Sequence, residues 1–185
     1  MTVWGVPGIF SKGIDSTTAF LRHLQVPMRE RGERVADAEL PVRNWFGARW
    51  QWREDAESLS ELTHDGDSIV AHSFGCLRAC EAAKLGVRYR LLFLVAPAMS
   101  RRYDFTEILD AGTVVVCLHS KSDRAITWGA LLPWHPFGRA GRNGFNEPGV
   151  IHHRNDSNDH NDYFDRGQID QWATTFLEHY SHARA

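Results

Sequence analysis

Short, uninterrupted apolar runs alternate with helical patterns along this chain, and that alternation most restricts what it can fold into. The runs are Thr2–Val6, Ser68–Ala71, Arg90–Val95 (RLLFLV) and Thr113–Leu118 (TVVVCL). A strand apolar at consecutive positions is buried on both faces, as in a parallel sheet covered by helices. Arg34–Leu40 has the alternation of a further strand, closed by Pro41. Between the runs lie helical patterns. Thr17–Arg31 follows Ser16 as N-cap and holds Pro27, where the helix would break or kink. Gln51–Thr63 sets Trp52, Ala56, Leu59 and Leu62 on one face, with Arg53, Glu54, Asp55 and Glu61 between them. Phe74–Lys84 is a helix of small and apolar residues. Gln168–Tyr180 closes the chain with Ile169, Trp172, Phe176, Leu177 and Tyr180 on its apolar face. Trp128–Ile151, rich in Gly, Pro and aromatics, is predicted as a long irregular connection. This order predicts the α/β class: a three-layer α/β/α sandwich with a mostly parallel central sheet. With 185 residues, positions 1–185 are expected to form one domain.

Composition narrows the function. The formal net charge is -2 and no basic run stands out, which argues against nucleic acid and membrane surfaces as partners. No apolar run approaches the roughly 20 residues needed to span a bilayer. The opening MTVWGVPGIFSKG lacks the features of a secretory signal. Cys76, Cys80 and Cys117 are odd in number and sit in apolar surroundings, which predicts buried free thiols and a cytoplasmic location.

The segment with the most chemistry is Ser68-Ile69-Val70-Ala71-His72-Ser73-Phe74-Gly75. An apolar strand runs straight into a serine and then into a small-residue helix. A turn this sharp pushes the serine Oγ above the sheet edge and sets it at a helix N-terminus, where negative charge is favoured. Its neighbours two before and two after must be small, as Ala71 and Gly75 are. In this setting AHSFG resembles the GxSxG nucleophile elbow of the α/β-hydrolase superfamily, with Ala71 in the first glycine position. A minimal, cap-less esterase- or lipase-like member is the nearest description.

The resemblance implies a chain order of Ser, then Asp or Glu, then His. Asp123 follows the TVVVCLHS run and resembles the superfamily's acid. It also suits an N-cap for the helix that follows, and the two roles are compatible. His160, in a polar loop before the last helix, stands where the superfamily places its base. His152 and His153 are rivals, but they lie beside an apolar Gly-Val-Ile run and read as the end of a strand. Val6-Pro7-Gly8-Ile9-Phe10-Ser11 resembles the superfamily's oxyanion loop. It implies backbone N–H donors from Ile9 and Phe74, with Phe10 as the near alternative to Ile9.

Phe10, Trp45 and Trp128 are candidates to line a substrate pocket, with core packing as the plainer role for such aromatics. No insertion is long enough for a large cap, so the site should be shallow and suited to small-molecule esters. The implied activity is ester cleavage by a Ser73–His160–Asp123 triad through an acyl-enzyme, with no cofactor and no metal. Acyl transfer and thioester cleavage use the same groups. The His152–Asp162 stretch is dense in metal-ligating types but matches no HExxH or EF-hand spacing. A hydrolase fold used only for binding is the remaining alternative.

Overall fold

The computed structural model describes residues 1–8, 17–41, 45–129, 138–165 and 167–183; the side chains of 45–49, 128 and 129 lie outside the described residues. In chain order the elements are β1 (Thr2–Val6), α1 (Thr17–Glu30), β2 (Arg34–Asp37), α2 (Trp45–Leu62), β3 (Ser68–His72), α3 (Gly75–Lys84), β4 (Leu91–Val95), α4 (Thr106–Asp110), β5 (Val114–His119), α5 (Arg124–Gly129), α6 (Ala140–Asn143), β6 (Ile151–Arg154) and α7 (Ile169–His182), with a 3-10 turn at Asp162–Phe164 before α7. The strands form one sheet in the order β2-β1-β3-β4-β5-β6. Every pairing is parallel.

The continuous apolar runs are explained by what covers the sheet. Val70, Phe93 and Val116 are paired neighbours that face one layer, built from α1 (Phe20, Leu21, Leu24, Met28) and α7 (Trp172, Phe176, Tyr180). Ile69, Leu92 and Val115 are the next row and face the opposite layer, built from α2 (Leu59), α3 (Cys76, Ala79, Cys80) and α4 (Ile108). Neither sheet face is left to water, so both rows are apolar. At Gly5 a side chain would begin only 2.5 Å from Leu21, which explains how α1 lies so close to β1.

Several boundaries differ from the sequence reading. α1 runs through Pro27 to Glu30 without a break. Pro27 sits in the last turn, and its carbonyl accepts the Arg31 guanidinium at 2.7 Å. β2 ends at Asp37. α2 begins at Trp45 rather than Gln51, so Trp45–Trp50 is helical as well. Trp52 packs partly buried against the core and Trp50 is exposed. The long connection contains α6, and His152 and His153 lie within β6. The three cysteines are buried and free.

Candidate active site

β3 delivers Ser73 to the carboxyl edge of the sheet. His72 is its last residue, and the chain turns at once into α3, with Phe74 at the N-cap. The turn forces Ser73 into a left-handed backbone conformation at φ +55°. For a non-glycine residue this costs about 1–3 kcal/mol and persists only where the surroundings hold it. They do: the Ser73 amide donates to Val95 at 2.9 Å, and its carbonyl accepts from Cys76 at 3.2 Å and Ala98 at 3.1 Å. Gly8, from the turn after β1, lies against it; a side chain there would begin 2.9 Å from Ser73 Cβ.

Two loops that are distant in sequence meet above this turn. Asp123 follows β5 and is fully buried. Its Oδ1 accepts the Ile126 amide at 2.9 Å, which caps α5. Its Oδ2 lies 2.8 Å from His160 Nδ1. His160 follows β6 and keeps 16% of its side chain exposed. Its Nε2 lies 2.9 Å from Ser73 Oγ. A carboxylate can only accept, so Asp123 takes the Nδ1 hydrogen and fixes the tautomer. Nε2 is then an acceptor for the Ser73 hydroxyl, the arrangement in which an imidazole can remove a proton.

The fold is similar to that of solved structures. The chain is similar to alpha/beta hydrolase domain-containing protein 10 from mouse, at 14% identity and a TM-score of 0.64 over 99% of this chain and 90% of that one. A CIB-like hydrolase from Thermoplasma acidophilum matches at 12% identity and a TM-score of 0.60, over 96% of this chain and 84% of that chain. The type II thioesterase BorB from the borrelidin biosynthetic cluster matches at 15% and 0.58, over 97% and 91%. The chain has the α/β-hydrolase fold. No protein-family profile and no curated protein sequence matches it.

In this α/β-hydrolase fold the loop carrying His160 is fastened to the loop carrying Asp123. Asp159 Oδ1 accepts both the Arg124 amide at 2.9 Å and the His160 amide at 2.8 Å. Asp156 Oδ1 accepts the Lys121 amide at 3.1 Å, and the Ser122 hydroxyl donates to the Asp156 carbonyl. These links set the distance between acid and imidazole. Nothing in the sequence marks Asp156 or Asp159 for this task, because four acids in a polar loop read as a solvated turn.

His72 is a further contact that sequence reasoning passed over. It is buried, and its Nε2 lies 3.1 Å from the His160 carbonyl. Burial, with the neighbouring His160 second, pushes its pKa down to about 3.

Phe74 is buried at the start of α3, beneath the Arg78 guanidinium at 5.1 Å. Ile9 and Phe10, and the side chains of Trp45 and Trp128, lie outside the described residues. The histidine-rich stretch does not converge. His153 pairs with His179 at 2.8 Å, His152 packs on His119, and His160 is committed to Ser73 and Asp123. Among the described residues no three His, Cys, Asp or Glu side chains are grouped to hold a metal ion. Among them, too, no helix is long and apolar enough to cross a membrane.

Proposed function

We propose that this protein is a serine hydrolase that cleaves a carboxylic ester through an acyl-enzyme. The observation that carries the reading is the unbroken row from Asp123 Oδ2 through the His160 ring to Ser73 Oγ, with links of 2.8 and 2.9 Å. Ser73 Oγ attacks the ester carbonyl carbon while His160 Nε2 takes the hydroxyl proton. The buried Asp123 carboxylate steadies the imidazolium that results. The Phe74 amide, at the positive end of α3, and the Ile9 amide would receive the oxyanion. His160 then returns the proton to the leaving alcohol, and water repeats the sequence on the acyl-enzyme. The released products are a carboxylic acid and an alcohol.

Likeness in fold to the BorB thioesterase favours thioesters as a second substrate class for the same groups. A fluorophosphonate probe tests the nucleophile, and a panel of p-nitrophenyl esters and acyl thioesters tests the chemistry. The expected result is labelling and turnover that both vanish in Ser73→Ala. Normal turnover in that variant overturns the reading.

A further inference from the structure

We infer that His72 is a positioning residue that holds His160 in register with Ser73, through a hydrogen bond to the His160 backbone and contact with its ring. The inference rests on the proposed serine-hydrolase reading and extends it to a side chain that touches no reacting atom.

The site must resist displacement of its base. His160 sits in a loop, not on a strand or helix. Its ring is held at Nδ1 by Asp123 and at Nε2 by Ser73, but the Ser73 contact is given up as the proton moves, and the Asp123 bond alone leaves a ring free to swing about that point. His72 supplies two further constraints. Its Nε2 reaches the His160 carbonyl at 3.1 Å. A carbonyl only accepts, so Nε2 carries the hydrogen and His72 is the Nε2–H tautomer. The two rings also pack with centroids 4.8 Å apart and a 44° tilt. Phe164, in the 3-10 turn just after His160, also packs against His72, with ring centroids 5.1 Å apart, edge to face. His72 therefore touches both the base and the turn that follows it.

The covalent link matters as much as the contacts. His72 is joined directly to Ser73, at the end of a strand buried along its whole length. Any displacement of the elbow moves His72 with it, and the His160 backbone follows. Nucleophile and base are thus tied by a second route that bypasses Asp123. A misplacement of about 1 Å in such a pair can cost on the order of a hundredfold in rate.

The same neighbourhood explains why the residue is histidine yet carries no charge. Among the groups that face its ring are His160, Phe164 and the Gly8 backbone. The Asp123 carboxylate lies across the His160 ring and is already engaged there. A charged His72 would oppose the imidazolium that His160 becomes during the reaction. Burial keeps it neutral while leaving the N–H donor in place.

The tautomer is tested on the wild-type protein by nitrogen-15 NMR of the imidazoles. His72 should show a protonated Nε2, a bare Nδ1 and no titration between about pH 5 and 8, where an ordinary histidine changes charge. Titration near the ordinary value, or the opposite tautomer, overturns the inference, and neither needs a variant to fold. Kinetics test the consequence. His72→Phe keeps a ring and loses the donor; kcat should fall roughly 10- to 100-fold with KM unchanged. His72→Gln restores an N–H near the Nε2 position and should recover most of that loss. A merely structural role predicts a lower melting temperature with wild-type kcat per folded molecule, and that outcome overturns the inference, as does equal loss in both variants. If Ser73→Ala keeps its turnover, the proposed function fails instead, and the NMR result still reports on the His72–His160 link alone.

Discussion

A methyl group built on Gly75 would lie 2.6 Å from the Pro7 carbonyl oxygen and closer still to that of Val6. The first turn of α3 therefore rests directly on the end of β1, backbone against backbone. No flexible side chain stands between them to yield. Gly75→Ala must push α3 away from the sheet, and with it the elbow that carries Ser73. Overpacking of this kind costs about 1–3 kcal/mol, and rigid backbone neighbours put this site toward the upper end. A urea unfolding midpoint well below wild type, with loss of fluorophosphonate labelling in the folded fraction, is the expected outcome. An unchanged midpoint would show that the close approach does not hold.

Asp123 does two jobs with two oxygens, and substitution can separate them. In Asp123→Asn the carbonyl oxygen can still cap α5 through the Ile126 amide, as Oδ1 does now. The new amide faces His160 Nδ1 with hydrogens, so the imidazole must turn its own hydrogen to Nε2. It then has no lone pair for Ser73. Turnover should fall roughly 10^4-fold with little change in stability. Asp123→Ala should lose the cap as well, at a further cost of about 1 kcal/mol. Steady-state kinetics beside thermal melts distinguish the two variants. A melting point that drops equally in both would deny the cap.

Much of this arrangement was legible in the chain because it rests on local rules. Consecutive apolar residues mark β3, β4 and β5, since only a doubly covered strand tolerates them. Ser73 is visible because a strand, a serine and a small-residue helix leave room for one kind of turn. Asp123 and His160 are visible as polar residues just past buried strands, where a parallel sheet gathers its loops. The structure brings these three side chains together. Other features depend on tertiary contacts that no local pattern records. β6 reads IHHR; the Gly-Val-Ile run beside it marks a strand end there, but its mostly exposed residues do not mark its place at the edge of the sheet. His72 reads as one more polar residue at a strand end until its His160 partner is known. Trp45–Trp50 lacks the clear apolar face of Gln51–Thr63, and the earlier start of α2 could not be read from it.

Asp55 in α2 and Arg78 in α3 form an ion pair at 2.9 Å with both side chains almost fully enclosed. Two charges out of water need each other. Removing one takes a close counter-charge from the other in a low-dielectric interior, at about 3–5 kcal/mol. Asp55→Ala should accordingly be among the most damaging changes outside the site. The double change Asp55→Leu with Arg78→Met removes both charges and should recover much of the loss. Because Arg78 lies over the Phe74 ring, the single variant should also slow probe labelling at Ser73. Urea midpoints of the single and double variants check the energetics; a double variant as unstable as the single one would contradict the account.

Acid should unfold this protein earlier than its carboxylates alone would require. Burial pushes the His72 pKa down from 6.5 to about 3, and burial also pushes His119 down, to about 4. In the folded chain both stay unprotonated through the window where the unfolded chain takes up protons. The unfolded state therefore binds more protons below about pH 6.5, and stability rises with pH across that window. The contribution is complete above 6.5 and is lost as pH falls toward 3 for His72 and toward 4 for His119. While a single such site is unprotonated only when folded, the slope approaches about 1.4 kcal/mol per pH unit. Urea midpoints measured between about pH 7 and 4.5 should fall steadily for wild type, and less steeply for His72→Gln, which has no proton to gain. Equal slopes in the two proteins would mean that His72 is already protonated in the native state, or that its burial does not persist in solution.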